Sequence, residues 1–155
     1  MPVKNNKTAL VKAVDYLSVQ DYSVKQIYDK LSRCGYEQEE IKVAIDKLVQ
    51  KGYLDDADLC DRQSKIYLKE KRYSVMMIKQ KLLRKGFSPD MVNKSLTSDF
   101  TIYEKNTAVC ILQKHLKKTT DTAKSMQYLY RKGFSPSSIR YAVDILLTNG
   151  YDANI

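Results

Sequence analysis

Glycine and proline are scarce in this 155-residue chain, with five and three residues respectively. Because these residues most often interrupt regular structure and form turns, we expect few and short loops. The chain also lacks any run approaching the roughly 20 consecutive apolar residues that a membrane-spanning helix requires. Residues 1–7 carry the positive charge of a signal peptide, but no apolar run follows them. The sequence therefore predicts a cytoplasmic protein without a membrane partner.

Histidine is represented by His115 alone. A single histidine excludes two-histidine zinc sites and most catalytic triads. Neither the P-loop pattern nor the G-x-G-x-x-G pattern is present, which excludes the common glycine-rich phosphate cradles. Asp55-Asp56 is a conspicuous carboxylate pair, and its place before a predicted helix favours capping over chemistry. We therefore predict no catalytic residue, no metal site, no cofactor and no enzymatic activity.

Cysteine occurs three times, at Cys34, Cys60 and Cys110. An odd number of well-separated cysteines argues against a disulfide framework and against a zinc site. Each lies among apolar neighbours, which predicts three buried free thiols.

An internal repeat is the strongest positive feature of the sequence. Residues 22–36, 73–87 and 120–134 align without gaps, and their glycines Gly35, Gly86 and Gly133 are spaced 51 and 47 residues apart. A shift of 98 residues also places Ile41 on Ile139, and Gly52-Tyr53 on Gly150-Tyr151. The chain therefore contains three tandem copies of one unit.

Each copy is predicted to form three helices. In the first copy, apolar residues recur at helical spacing in three groups: Leu10, Ala13, Val14 and Leu17; Val24, Ile27, Tyr28 and Leu31; Ile41, Ile45 and Leu48. Ser23 and Gln26 form a candidate capping box, and Ser88-Pro89 and Ser135-Pro136 are typical of helix starts. All five glycines follow a predicted helix end, where a left-handed residue is required.

These patterns predict an all-α fold of three tandem three-helix repeats, at residues 1–54, 55–99 and 100–155. A unit of this size buries little apolar surface alone, and stacking against neighbours buries more. We therefore expect an elongated, curved array.

The formal net charge of +9 is unevenly distributed. Residues 1–55 carry 9 basic and 8 acidic residues, residues 56–99 carry 10 and 6, and residues 100–155 carry 8 and 4. Between residues 62 and 85, nine basic residues are accompanied by Glu70 alone. Four of them step by three, four and three, which places them on one helix face, with Leu59 and Ile66 predicted toward the core. The striped residues are Arg62, Lys65, Lys69 and Arg72.

A basic face with so few acidic counterparts predicts an acidic partner surface. Phosphates of single- or double-stranded DNA would be bound weakly and without sequence selectivity. Tyr67, Tyr73 and Tyr103 lie in or near the basic regions, where packing is their favoured role. The candidate binding residues are Arg62, Lys65, Lys69, Lys71, Arg72, Lys81, Arg84, Lys85, Lys117, Lys118, Arg131 and Lys132.

Two segments give the chain a family resemblance. The junction Gly52-Tyr53-Leu54-Asp55-Asp56 with the Arg/Lys-rich helix after it, and the stretch from Lys71-Arg72-Tyr73-Ser74 to Lys85-Gly86-Phe87, resemble the RecX family of recombination regulators. Two positions depart from the family pattern: Arg72 stands where glycine is frequent, and Lys81 where an acidic residue is usual. Both departures add positive charge.

The resemblance implies a protein without catalysis of its own that lies in the helical groove of the RecA–DNA filament. Such proteins hinder filament extension and suppress the ATP hydrolysis, strand exchange and LexA-cleavage coactivation of RecA. We expect this chain to act as a monomer. Two alternatives remain open from the residues alone: a helix-turn-helix-type DNA-binding protein, usually a dimer, and a helical-repeat scaffold for an acidic protein.

Overall fold

A computed structural model describes residues 6–148, and the regular secondary structure of this part of the chain is helical, without a strand. The all-α prediction is therefore confirmed. The helices are α1 (Ala9–Val19), α2 (Val24–Arg33), α3 (Gln38–Gln50), α4 (Asp56–Glu70), α5 (Val75–Arg84), α6 (Pro89–Ser95), α7 (Thr101–Leu116), α8 (Thr122–Arg131) and α9 (Pro136–Val143). A π-helical turn, Asp144–Thr148, follows α9. The helices fall three to each predicted repeat, and the division into three domains stays a prediction.

Local capping determines where several helices begin. Ser23 Oγ accepts from Gln26 N at 3.1 Å while Gln26 Oε1 accepts from Ser23 N at 2.9 Å, so the predicted capping box is confirmed. Ser88 Oγ accepts from Met91 N and Ser135 Oγ from Ser138 N, both at 3.2 Å, which confirms the two Ser-Pro helix starts.

The acidic pair Asp55-Asp56 is used for capping, as predicted. Asp55 Oδ1 accepts from Asp58 N at 3.1 Å, in the first turn of α4. Asp56 Oδ1 accepts from Val24 N at 3.0 Å and so caps α2. Burial raises the pKa of the Asp56 carboxyl group above its ordinary value.

The chain divides into two compact units. Unit 1 is Met1–Gln63 with Leu82–Ser95, and unit 2 is Ser64–Lys81 with Leu96–Ile155. The buried core of unit 1 includes Ala9, Ala13, Ile27, Leu31, Ile41, Ala44, Ile45, Leu48 and Leu54. That of unit 2 includes Ala108, Leu112, Leu129, Phe134, Ile139, Ala142 and Leu146.

Two predictions about buried residues are wrong. Ile66 is 48% exposed, because α4 buries Leu59, Cys60 and Ser64 and so turns position 66 outward. Among the cysteines, Cys60 is buried, Cys34 is half-buried and Cys110 is exposed. Position 110 lies two residues from the buried Ala108, which on a helix is nearly the opposite face.

The same joint occurs once in each unit. In unit 1 the Ser23 hydroxyl donates to the carbonyl oxygen of Lys85. In unit 2 the Ser74 hydroxyl donates to the carbonyl oxygen of Lys132 at 2.7 Å. Both serines are fully buried N-cap residues, and both carbonyls directly precede a helix-ending glycine. We call this contact the serine–carbonyl joint.

Glycine is required at each joint for two reasons. First, Gly86 and Gly133 have φ angles of +97° and +88°, which confirms the predicted left-handed helix ends there. The same prediction is confirmed at Gly35 and Gly52, whose φ angles are also positive. Gly150 lies outside the described residues. In addition, a Cβ on Gly86 would overlap Lys25 Cβ, and a Cβ on Gly133 would lie 2.8 Å from Ser74 Oγ. The sequence pattern predicted the first reason and not the second, which arises from close approach of another helix.

Candidate nucleic-acid interface

Unit 2 contains a recess of about 500 Å³ between α5, α7, α8 and the end of α4. Six cationic side chains line it, together with His115, Tyr73 and Tyr128, and none of its described lining residues carries a carboxylate. The six cations are Lys71, Arg72, Lys81, Lys114, Lys118 and Lys132. We call this site the basic recess. So many like charges around one concavity produce a positive potential that favours a polyanion.

An unusual backbone conformation occurs at Lys71, directly before Arg72, and both side chains line the recess. Lys71 follows the last residue of α4 and adopts φ +51°, in the left-handed region that glycine normally fills. A lysine at such a position costs backbone energy, and such strained residues cluster at functional sites.

Aromatic rings hold three of the cations in place. Lys81 Nζ lies 4.5 Å from the centroid of the Tyr73 ring and 5.9 Å from that of Tyr67. Arg72 Cζ lies 5.9 Å from the Tyr73 centroid, and Lys132 Nζ 5.4 Å from the Tyr128 centroid. Cation–π attraction therefore orients these groups without neutralising them.

Neighbouring residues hold Tyr73 in position. Tyr73 packs edge-to-face with Tyr67 at 5.7 Å, and the Tyr73 carbonyl oxygen accepts from Tyr103 Oη at 2.8 Å. Burial raises the pKa of the Tyr103 hydroxyl, which stays protonated as the donor of that bond. Tyr67 thus packs against Tyr73, and Tyr103 is hydrogen-bonded to the Tyr73 backbone, so all three have the packing role expected from the sequence.

His115 also has a structural setting. Its ring stacks on Tyr128 at 4.4 Å, and its Nδ1 lies 2.9 Å from Ser125 Oγ. It stands in the last turn of α7, and it is half-buried at the wall of the recess.

The structure brings together only part of the predicted set. Lys71, Arg72, Lys81, Lys118 and Lys132 line the basic recess. Lys65, Lys69, Arg84, Lys85 and Lys117 do not, and Arg131 lines a separate groove. Lys85 Nζ donates to Gln63 Oε1 at 2.9 Å. Lys114 and His115, in the last turn of α7, were missed as binding candidates.

Arg62, the first member of the predicted stripe, lies in unit 1 and is neutralised there. Its guanidinium group contacts Asp21 at 2.9 Å and Asp58 at 2.8 Å. Because Arg62 donates hydrogen bonds to both carboxylates, the pKa of its guanidinium group is raised above its ordinary value. The four striped residues therefore do not form one free cationic face.

The aromatic cluster of unit 2, formed by Tyr67, Tyr73 and Lys81, has a counterpart in unit 1 at positions 51 residues earlier. Tyr16 and Tyr22 pack edge-to-face at 6.4 Å, and Lys30 Nζ lies 5.1 Å and 4.7 Å from their centroids. The position that corresponds to Arg72 is Asp21, which pairs with Arg62. The residue directly before the second tyrosine of the cluster is thus acidic in unit 1 and basic in unit 2.

Other kinds of site are not indicated. Among the described residues, no group of three or more histidine, cysteine, aspartate or glutamate side chains could hold a metal ion. No helix between residues 6 and 148 is long and apolar enough to cross a membrane.

Known proteins provide the decisive comparison. A family model described as "RecX, first three-helix domain" matches residues 9–48. The "Regulatory protein RecX" of Clostridium botulinum (strain Alaska E43 / Type E3) is 33% identical over 155 residues, covering 92% of this chain and 72% of the relative. The chain belongs to the RecX family.

Further family members and solved structures agree. The "Regulatory protein RecX" of Prosthecochloris aestuarii is 26% identical, and the match covers 96% of this chain and all of the relative. A crystal structure of regulatory protein RecX has a TM-score of 0.80 at 24% identity, covering 88% of this chain and 71% of that one. RecX from Lactobacillus salivarius has a TM-score of 0.75 at 23% identity, covering 89% and 94%. The family resemblance and the all-helical fold are thus both confirmed, and the relatives are named as regulatory proteins.

Proposed function

We propose that this chain is a non-enzymatic regulator that binds the RecA–DNA filament through the basic recess of unit 2. It hinders filament extension and thereby suppresses RecA's ATP hydrolysis, strand exchange and coactivation of LexA cleavage. Recombinational repair and the SOS response are the processes that it modulates.

The basic recess is the observation that carries this proposal. Six cations without a carboxylate among the lining residues suit a phosphate backbone, whose charge density attracts such a surface. Arg72 and Lys81, the two positions that depart from the family pattern, both line the recess. The departures therefore add positive charge to a single site.

The aromatic rings favour backbone contacts over base contacts. Lys81 lies over Tyr73, and His115 stacks on Tyr128, so these rings already contact other side chains. A base would have to displace them before stacking, whereas phosphates can bind the cations without rearrangement. This arrangement supports weak binding without sequence selectivity, and it disfavours the selective duplex binding of a helix-turn-helix dimer.

Measurement of RecA's DNA-dependent ATP hydrolysis tests the proposal. We expect the parent chain to suppress hydrolysis at stoichiometric ratios and the triple variant Arg72→Glu/Lys114→Glu/Lys118→Glu to lose most of this suppression. The control is Lys47→Glu/Lys51→Glu/Lys94→Glu, which changes the net charge equally at exposed positions of unit 1. Equal loss in both variants would show that total charge, and not the recess, is responsible.

Binding titrations with duplex DNA, single strands and RecA filaments, each at two salt concentrations, separate the alternatives. The proposal predicts the tightest binding to filaments, weakened by salt. Selective duplex binding without RecA would instead indicate a helix-turn-helix function, and complete independence from nucleic acid would indicate a scaffold for an acidic protein.

A further inference from the structure

A second concave surface of unit 2 lies on α8 and α9 and shares no residue with the basic recess. It has a volume of about 570 Å³ and is lined by Met126, Gln127, Tyr130 and Arg131 of α8 and by Pro136, Ile139, Arg140 and Val143 of α9. We call it the α8–α9 groove.

The groove combines a buried floor with exposed apolar walls. Ile139 is 5% exposed and belongs to the core of unit 2, so the floor of the groove is part of the packed core. Tyr130 is 69% exposed and Met126 is 39% exposed. A tyrosine and a methionine so exposed beside a concave floor are typical of surfaces that receive an apolar side chain from a partner.

The charges of the groove indicate the chemistry of that partner. Arg131 and Arg140 both line it, none of its lining residues is acidic, and no described carboxylate forms an ion pair with either arginine. Guanidinium groups bind carboxylates through paired hydrogen bonds. An apolar floor flanked by two such groups is complementary to an acidic segment.

The corresponding surface of the first repeat lacks this combination. A shift of 98 residues places Asp29 and Ser32 at the positions of Gln127 and Tyr130, while Arg33 and Lys42 correspond to Arg131 and Arg140. Asp29 forms an ion pair with Lys25 there, at 3.4 Å. The first repeat therefore keeps the two cations but has neither the exposed tyrosine nor a carboxylate-free lining.

We propose that the α8–α9 groove docks an acidic segment of a partner protein that carries a large apolar side chain. That side chain contacts Met126, Tyr130 and Ile139, and flanking carboxylates pair with Arg131 and Arg140. This goes beyond the proposed filament function, because it assigns a peptide-binding surface that is separate from the phosphate-binding recess.

Fluorescence anisotropy with the full chain tests the proposal. The probe is a short fluorescein-labelled peptide of alternating aspartate and leucine, and the comparison peptides replace aspartate by lysine or leucine by serine. We expect the aspartate–leucine peptide to bind more tightly than either comparison peptide by about tenfold or more. Equal binding of the lysine peptide would overturn the charge argument, and absence of any binding would overturn the proposal.

Three variants locate the binding. Arg131→Glu/Arg140→Glu should abolish binding of the aspartate–leucine peptide, and Tyr130→Ser should weaken it. The matched control Arg33→Glu/Lys42→Glu, at the corresponding positions of the first repeat, should leave it unchanged. Loss in the control as well would overturn the proposal, since it would show a general charge effect.

The recess variant Arg72→Glu/Lys114→Glu/Lys118→Glu separates this proposal from the proposed function. It should retain peptide binding while losing suppression of RecA. Loss of peptide binding in this variant, with full binding by Arg131→Glu/Arg140→Glu, would place the peptide in the recess and overturn the proposal. Concentration-dependent self-association of the parent that Arg131→Glu/Arg140→Glu abolishes would also overturn it, because a second copy would then occupy the groove.

Discussion

Unit 1 and unit 2 each contain a serine–carbonyl joint and a tyrosine pair with a lysine over it, yet they differ sharply in charge. Unit 1 carries 13 basic and 12 acidic residues, and unit 2 carries 14 and 6. In unit 1, Asp21 and Asp58 neutralise Arg62, whereas Arg72 of unit 2 occupies the position equivalent to Asp21 and lines the basic recess. The joint and the cluster therefore occur in both units, and the units differ in the charges that lie beside them.

The joint glycines provide the strongest test of this structural equivalence. Gly86→Ala should destabilise the protein by about 3 kcal/mol and Gly133→Ala by about 2 kcal/mol, because both combine a positive φ with a clash. Gly52→Ala is the matched control, since φ is +80° there but nothing lies within 4 Å of the added Cβ. It should cost only about 1 kcal/mol. Urea denaturation followed by far-UV circular dichroism measures these differences, and equal costs at the three positions would contradict the close approach.

The joint serines should contribute equally in the two units. Ser23→Ala and Ser74→Ala each remove an N-cap and leave a carbonyl oxygen without its donor, so each should cost about 1–2 kcal/mol. Ser88→Ala is the control, because Ser88 caps α6 at an exposed position. The same denaturation experiment should show a smaller loss for Ser88→Ala, and an equal loss would mean that the joint bond adds nothing to the cap.

Lys30 and Lys81 each lie over a tyrosine pair, but only Lys81 should contribute to DNA binding. Lys81→Ala should lower affinity for single-stranded DNA severalfold and reduce the salt slope of log K by about 0.7, the value expected for one lost phosphate contact. Lys30→Ala removes the equivalent lysine from the Tyr16–Tyr22 pair and should leave both quantities unchanged. Anisotropy titrations over a range of salt concentrations compare the two, and similar effects would remove the functional distinction between the units.

The smallest expected effect concerns Asp56 of unit 1. Burial raises the pKa of its carboxyl group above the ordinary value of 3.8, so the folded state binds this proton more tightly than the unfolded state. The associated stability is full below pH 3.8 and is lost as pH rises through the raised pKa. Asp56→Asn keeps an oxygen that can accept from Val24 N and should remove this part of the pH dependence. Asp55→Asn is the exposed control in thermal unfolding at several pH values, and an equal change there would exclude burial as the cause.

Much of the local structure could be predicted from the sequence. The capping box at Ser23, the Ser-Pro starts of α6 and α9, and the left-handed glycines of the described helix ends depend on residues within one or two helical turns. Burial was harder to predict. Ile66 and Cys110 have apolar side chains in helices, but which face turns inward depends on what packs against that helix.

The candidate site was predictable in composition and not in arrangement. The bias toward basic residues between 62 and 85 drew attention to Lys71, Arg72 and Lys81, which line the recess. The helical stripe that began at Arg62 did not predict the recess, because Asp21 is 41 residues away in sequence and yet pairs with Arg62. Lys114 and Tyr128 join the recess for the same reason: they are remote in sequence and near in space.

The sequence by itself determined the helices, their ends, the repeat and the family, because each depends on local spacing or on similarity along the chain. The tertiary structure decided which cations are paired, which rings hold the remaining ones, and why Gly86 and Gly133 tolerate no side chain. These features depend on distances between residues that lie tens of positions apart, and only packing of the helices fixes such distances.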